Sequence, residues 1–475
     1  MDFDRLQEFI AGRWRDSVMG PLSDYIAIPA KSPAFDVDWQ ANGQLDRAAE
    51  HLARWARGAL VATPGALVEV LRLEGKTPTI LIDVPGIAEA PPVILYGHLD
   101  KQPEMTGWSE GRNPWVPVVE ADRLYGRGAA DDGYAIFSAV LGILALRDQG
   151  LAYPRCLILI EGSEESGSGD LPDYVALMAQ RLDRAPGLIV ALDSVAGDYD
   201  RLWTTTSVRG QVQGVLHVRT LTAAVHSGDA SGVAPAPLRV ATRLLSRLED
   251  PDTGEIVADF QVIIPEARRA QAEAASRFVD LGTTLPFEAG VRPVSDNRAE
   301  LLLNRAWRAQ LAVIGLDGLP SIEEAAAVIQ PEISLKIGLR LPPTLDANGA
   351  ADRLKALLEA DPPYGSAVRF DTTMIAAGWE APPLAPWLED VLNEGSAAAF
   401  GATSLLFGGG GGIPFLAALA ERFPNAQFLV TGVLGPESNA HGPNEFLHLP
   451  TTKRLTAVLA AVLNRTSALP PGGHS

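Results

Sequence analysis

The chain has 475 residues, 47% of them apolar and 20% charged, with 58 acidic against 39 basic side chains and a formal net charge of −19. That length exceeds what one hydrophobic core usually supports, so two domains are expected, and so acidic a chain is poorly suited to holding nucleic acid or an anionic membrane. One cysteine, Cys156, excludes an intrachain disulfide and a thiolate-rich zinc site; it lies in an apolar run and reads as a buried structural thiol.

The N-terminal residues carry acidic side chains with no apolar h-region behind them, so no signal peptide is expected. No window approaches the roughly 18 consecutive apolar residues of a membrane span, and a cytoplasmic protein is the simplest reading. Leu6, Phe9, Ile10 and Trp14 recur at helical spacing, as do Leu45, Ala48, Ala49, Leu52 and Trp55, predicting two amphipathic helices. Strands are expected over 66–73, 79–84 and 92–96, a helix over 133–147, a strand over 155–160, a helix over 171–182 and a strand over 188–192. This alternation predicts an α/β fold whose mainly parallel sheet has helices on both faces.

After Trp203 the texture changes. A long alternating strand is expected over 208–219, a helix within 234–248, strands over 301–314 and 333–341, and a helix over 350–359. The acidic, Ala- and Pro-rich segment 250–301 receives no assignment. The tail, 469–475, reads as disordered.

The chemistry lies in five short segments. Tyr96-Gly-His98-Leu-Asp100 ends an apolar run, and side chains two apart on a strand point the same way, so His98 is a metal ligand that Asp100 orients through its second ring nitrogen. Asp131 follows a glycine-rich turn, Glu164 and Glu165 follow the strand 155–160, Asp193 follows 188–192, and His441 lies in Ser438-Asn-Ala-His441-Gly-Pro-Asn444-Glu445. Two cations roughly 3.5–4 Å apart need a shared anion, for which Asp131 is the candidate. One metal then takes His98 and Asp193, the other Glu165 and His441. Mixed imidazole and carboxylate ligands suit two zinc ions, with manganese or cobalt as alternatives. Glu164, next to a ligand but pointing elsewhere, is the candidate general base that takes a proton from the bridging water and hands it to the leaving nitrogen. His441 meets His98 only if the end of the chain packs back on its beginning. The expected arrangement is therefore a catalytic domain made of 1–206 and 379–475, interrupted by a smaller α/β lid and dimerisation domain over 207–378.

These motifs, together with Tyr125-Gly-Arg-Gly-Ala-Ala-Asp131-Asp132-Gly-Tyr, resemble those of the M20 family of metallopeptidases, in the branch of carnosinase-like and cytosolic non-specific dipeptidases. The resemblance spans nearly the whole chain. It implies a homodimer in which His226 reaches the partner's active site and stabilises developing negative charge on the carbonyl oxygen. It also implies that Arg340 grips the substrate carboxylate and that Asn304 presents a polar side chain to the scissile group. Gly410, Gly411 and Gly412 align with a loop whose backbone N–H groups help bind that carboxylate. There the chain departs from the pattern: Gly408 and Gly409 replace an Arg-Glu pair, and Gly412 replaces a serine.

The expected activity is hydrolysis of the amide bond of a dipeptide or small peptide with a free carboxylate. An amidohydrolase acting on N-acyl or N-carbamoyl amino acids is the enzymatic alternative. A binding or scaffold protein that retained the fold is the non-enzymatic one, and it predicts a broken ligand set, whereas every ligand is present.

Overall fold

The computed structural model describes residues 1–86 and 89–470; the end of the expected disordered tail, 471–475, with His474, lies outside them. In chain order the strands that build the site are β1 (Leu67–Leu71), β2 (Thr79–Val84), β3 (Val93–His98), β4 (Cys156–Glu161), β5 (Leu188–Ala191), β6 (Trp203–Val208), β7 (Gly210–Arg219), β8 (Gln310–Asp317), β9 (Glu332–Leu341), β10 (Ala367–Ala376), β11 (Leu405–Gly409) and β12 (Gln427–Val430).

The main sheet has the order β1-β2-β4-β3-β5-β12. It is mixed: β4, β3, β5 and β12 run parallel, and β1 and β2 close one edge antiparallel. Every residue of β3 and β4 is buried, which is why both read as continuous apolar runs rather than as alternating strands. Leu95, Ile158 and Val190 face one layer, built from Phe3–Arg13, Gln44–Ala59, Ala135–Asp148, Pro386–Phe400 and Leu449–Thr466; Ile94, Leu157 and Ile189 face the other, built from Leu171–Gln180 and Pro414–Arg422. Cys156 is buried on β4, as expected.

The late helix Leu449–Thr466 lies beside Ala135–Asp148, where Thr456 Oγ1 hydrogen-bonds Ser138 Oγ at 3.0 Å. The end of the chain therefore does return onto its beginning. The stretch Ala129–Asp148 reaches a mean hydropathy of 1.5, but Asp131 and Asp132 break its helical backbone, and the helix proper, Ala135–Asp148, lies inside the fold. It is a core helix.

A second sheet, β8-β9-β7-β10, is wholly antiparallel and has its own core, closed by the helices Pro237–Leu245 and Ala347–Glu359. Strand β7 buries every second residue, the pattern of a sheet covered on one face. The strand expected over 301–314 is half wrong. Asn297 caps a helix, Arg298–Ala306, by accepting from the N–H groups of Ala299 and Glu300, and β8 starts only at Gln310. Leu302, Leu303 and Ala306 recur at helical spacing and pack with Trp203 and Phe407, so two leucines of the apolar run belong to the core-facing side of a helix. The unassigned segment 250–301 supplies the helix Glu266–Ala275 to the same cluster. A third small sheet pairs β6 in parallel with β11, whose end runs into the glycine loop.

Candidate active site

Since β3, β4 and β5 are parallel, their C-terminal ends share one edge, where ligands of open α/β sheets bind. His98 is the last residue of β3, the turn Glu164–Ser166 follows β4, and Asp193 follows β5. Close approach sets one residue type: a Cβ on Gly97 would lie 2.6 Å from Asp132 Oδ2, so only glycine lets β3 pass beneath the Asp131 turn.

Two ligand clusters form there, His98 with Asp131 and Asp193, and Asp131 with Glu165 and His441, the candidate atoms of each lying within 4.8 Å of one another. Asp131 belongs to both. Its Oδ1 is 3.0 Å from His98 Nε2 and its Oδ2 is 3.1 Å from His441 Nε2. Asp193 Oδ2 stands 3.9 Å from His98 Nε2, and Glu165 Oε2 3.3 Å from His441 Nε2. His98 is fully buried, whereas the His441 side chain is 58% exposed on a loop with left-handed φ at Glu437, Asn439, His441 and Asn444. Non-glycine residues hold that conformation only when their surroundings enforce it.

What enforces it is a pair that sequence reading did not single out. Arg127 Nη1 donates to Glu445 Oε2 at 2.6 Å, and Arg127 Nη2 donates to the carbonyls of His441 and Gly442. Glu445 Oε1 accepts the N–H groups of Gly128, Ala130 and Asp131. One buried ion pair thus holds both the turn of the shared ligand and the loop of His441. Glu445 does stand in the motif of His441; Arg127 carries no sequence signal beyond its glycine-rich turn.

Asp100 corrects a detail. His98 Nδ1 lies 3.0 Å from the Asp100 backbone carbonyl and 3.5 Å from its carboxylate, and the carboxylate mainly accepts the N–H groups of Glu164 and Glu165, at 3.1 and 3.0 Å. The alternation rule fails because β3 ends at His98. Asp100 orients the ring through its main chain and fixes the Glu164 turn through its side chain. Two further residues support the ligands: Gln102, which carries no sequence signal, donates from Nε2 to Glu165 Oε2 at 2.6 Å, and Asp132, which stands in the Asp131 motif, accepts from the His98 N–H through Oδ2.

The site is a concentration of carboxylates in a buried place. Burial, then the charge of Asp193, raises Glu164 well above the usual carboxylate range; burial and the charge of Asp131 push Glu165 up to about 8 and Asp193 to about 6. Burial opposes charge on His441, but the Asp131 hydrogen bond and the Glu165 charge lift it to about 9, and the Asp100 and Asp131 carboxylates likewise raise His98. Asp131 is driven far down by the two imidazoles despite its burial. Such crowding of acids around two nitrogens is the electrostatic signature of a place for cations. Two ligand sets, each with one imidazole and carboxylates and joined by a common carboxylate, fit a pair of divalent metals.

A cavity of about 250 Å³ opens on these groups, lined by Asp131, Glu164, Asp193 and His441 and by Gly410, Gly411 and Gly412. It falls below the roughly 300–1,000 Å³ of drug-sized pockets and suits a small substrate. Arg340 is half-buried on β9. The Asn304 side chain accepts from Arg308 Nη1 at 2.6 Å, and only its carbonyl reaches toward the loop, through Arg209 Nη1 at 3.4 Å. His226 is exposed on the ribbon Val225–His226 with Val328–Ile329; its Nδ1 accepts the Gly228 N–H, and it touches none of its own chain's ligand residues.

A helix-flanked mixed sheet that gathers two imidazole–carboxylate clusters around one shared carboxylate defines a metal-dependent hydrolase of the dinuclear kind. The profile of peptidase family M20/M25/M40 matches residues 94–465, and the chain belongs to that family. It is 26% identical over 374 residues to a cysteinylglycine-S-conjugate dipeptidase of Corynebacterium striatum, covering 76% of this chain and 77% of the relative. It is 25% identical over 401 residues to a Cys-Gly metallodipeptidase of Saccharomyces cerevisiae, covering 80% of each. Its fold matches the crystal structure of human carnosine dipeptidase 1 with a TM-score of 0.75 at 20% identity, over 98% of this chain and 99% of that one. This protein is accordingly a metal-binding, dipeptidase-like hydrolase of peptide-like substrates.

Proposed function

We propose that the protein hydrolyses dipeptides or other small peptides with a free terminal carboxylate. The observation that carries this reading is Asp131 offering one oxygen to each imidazole, with Glu164 on the wall of the same small cavity. His98, Asp131 and Asp193 would hold one divalent ion and Asp131, Glu165 and His441 the other, with zinc the first candidate and manganese or cobalt the alternatives. When bound, the metals supply Lewis acidity and a water acidic enough to attack at neutral pH.

Glu164 takes the proton of the attacking water and delivers it to the leaving nitrogen. Its raised affinity for protons in the absence of metal, caused first by burial and then by Asp193, fits a group that must hold a proton between those events. Arg340 and the N–H groups of Gly410, Gly411 and Gly412 anchor the substrate carboxylate and so fix the amide over Asp131. Residues 207–378 act as an inserted lid and dimerisation domain. His226 is exposed and its ring is hydrogen-bonded only within its own turn, which supports a role at the active site of the partner subunit in a homodimer, where it would donate to the oxyanion. The unpaired flank of that domain offers Val313, Ile314 and Leu316, each about half exposed, as material for the dimer contact. The protein works in the cytoplasm in this reading.

The deciding experiment is a panel of dipeptides and N-acyl or N-carbamoyl amino acids assayed with zinc, manganese and cobalt. Release of free amino acids from the dipeptides supports the reading. Turnover confined to the acylated compounds overturns it in favour of an amidohydrolase, and metal binding without turnover points to a binding protein.

A further inference from the structure

Beside the acidic cluster lies a group of opposite sign that no partner balances. Arg209 and Arg305 contact the glycine loop, Arg340 lies close enough for its charge to act on Arg209, and among the described residues none of the three forms an ion pair with a carboxylate. Arg209 is 9% exposed and donates from Nε to the Gly410 carbonyl at 3.1 Å. Nε and Nη2 of Arg305 are buried without any acceptor. Its side chain packs against Gly410, where a Cβ would lie 2.8 Å from Arg305 Cγ, and its guanidinium carbon is 5.7 Å from the centre of the Phe407 ring. Gly410 itself lines the cavity. Burial lowers Arg209 to about 9, helped by the charges of Arg340 and Arg305, and lowers Arg305 to about 10.

A buried cation with no counter-charge is unstable unless a ligand supplies one. The loop itself supplies none, since residues 408–412 are all glycine. Three guanidinium groups exceed what one terminal carboxylate neutralises, and each presents five donors in a planar fork suited to carboxylates. We propose that Arg209 and Arg305 extend the Arg340 anchor into a site for a second carboxylate, so that the preferred substrates end in aspartate or glutamate. This rests on the peptidase reading above.

The test compares kcat/KM of the metal-loaded enzyme on Gly-Glu and Gly-Asp with the near-isosteric amides Gly-Gln and Gly-Asn, alongside calorimetric binding of free L-glutamate and L-glutamine. A charge-assisted bond made to one member of each pair predicts about a 10–100-fold preference for at least one acid over its amide, and tighter binding of glutamate than glutamine. In Arg305→Met the ratio within each pair should collapse to within about threefold, and Arg305→Lys, which keeps charge but loses the fork, should fall between. Equal handling of acids and amides by the wild-type protein overturns the proposal without any variant. If no dipeptide is cleaved, the peptidase reading fails separately, and equal glutamate and glutamine affinities then overturn the arginine site by binding alone.

Discussion

Arg127 and Glu445 form a fully buried ion pair, Nη1 to Oε2 at 2.6 Å, that ties the turn carrying Asp131 to the loop carrying His441. Because Glu445 also accepts three main-chain N–H groups, its carboxylate is satisfied on both oxygens. Removing one member leaves the other as an unpaired buried charge. Arg127→Met or Glu445→Ala should each cost about 3–5 kcal/mol of stability, read by urea unfolding of the metal-free protein. The double variant should lose less than the sum of the two, as coupled neighbours do. Two additive losses would mean the pair is not a unit.

Asp131 is common to both clusters, whereas Asp193 and Glu165 each belong to one. Metal content measured by elemental analysis should therefore fall to well under one ion per chain in Asp131→Ala. It should fall to about one in Asp193→Ala and in Glu165→Ala. Retention of two ions by Asp131→Ala would exclude it as the shared ligand.

Metal binding should release protons. In the metal-free site His441 sits at about 9 and Glu165 at about 8, so near pH 7 both carry a proton that a cation must displace. With more protons on the free than on the loaded protein, affinity must rise with pH, by about tenfold or more per unit between roughly pH 6 and 8, and level off above about 9. Zinc titrations in buffers of different ionisation enthalpy count the released protons directly. No dependence on the buffer would place the ligands in their deprotonated forms beforehand.

The ligands were legible in the sequence because His98, Glu165 and Asp193 follow the ends of apolar strands and Asp131 and His441 lie in short Gly-bearing segments, so local pattern carried both residue type and position. The lower edge of legibility is seen at Asp100, which lies two residues past the end of β3 where the period-two rule no longer holds, and at 301–306, where an apolar run hid a helical stripe. Arg127 with Glu445, and Arg209 with Arg305, were not legible. Their meaning comes from tertiary proximity between segments hundreds of positions apart or from the absence of a partner, and no spacing encodes either.

Glu164 lies on the cavity wall but in neither ligand cluster, so Glu164→Ala should keep both metals while turnover drops roughly 10²–10⁴-fold. That variant also reports on the dimer. If His226 acts across subunits, a mixed dimer of one Glu164→Ala chain and one His226→Ala chain contains one site with an intact Glu164 and an intact histidine from its neighbour. Random exchange of equal amounts of the two inactive variants should therefore restore about a quarter of wild-type activity, since about half the dimers are mixed and half of their sites are whole. Activity is followed during exchange, and mixed dimers are counted by native mass spectrometry. Mixed dimers that form without any recovered activity would confine His226 to its own chain.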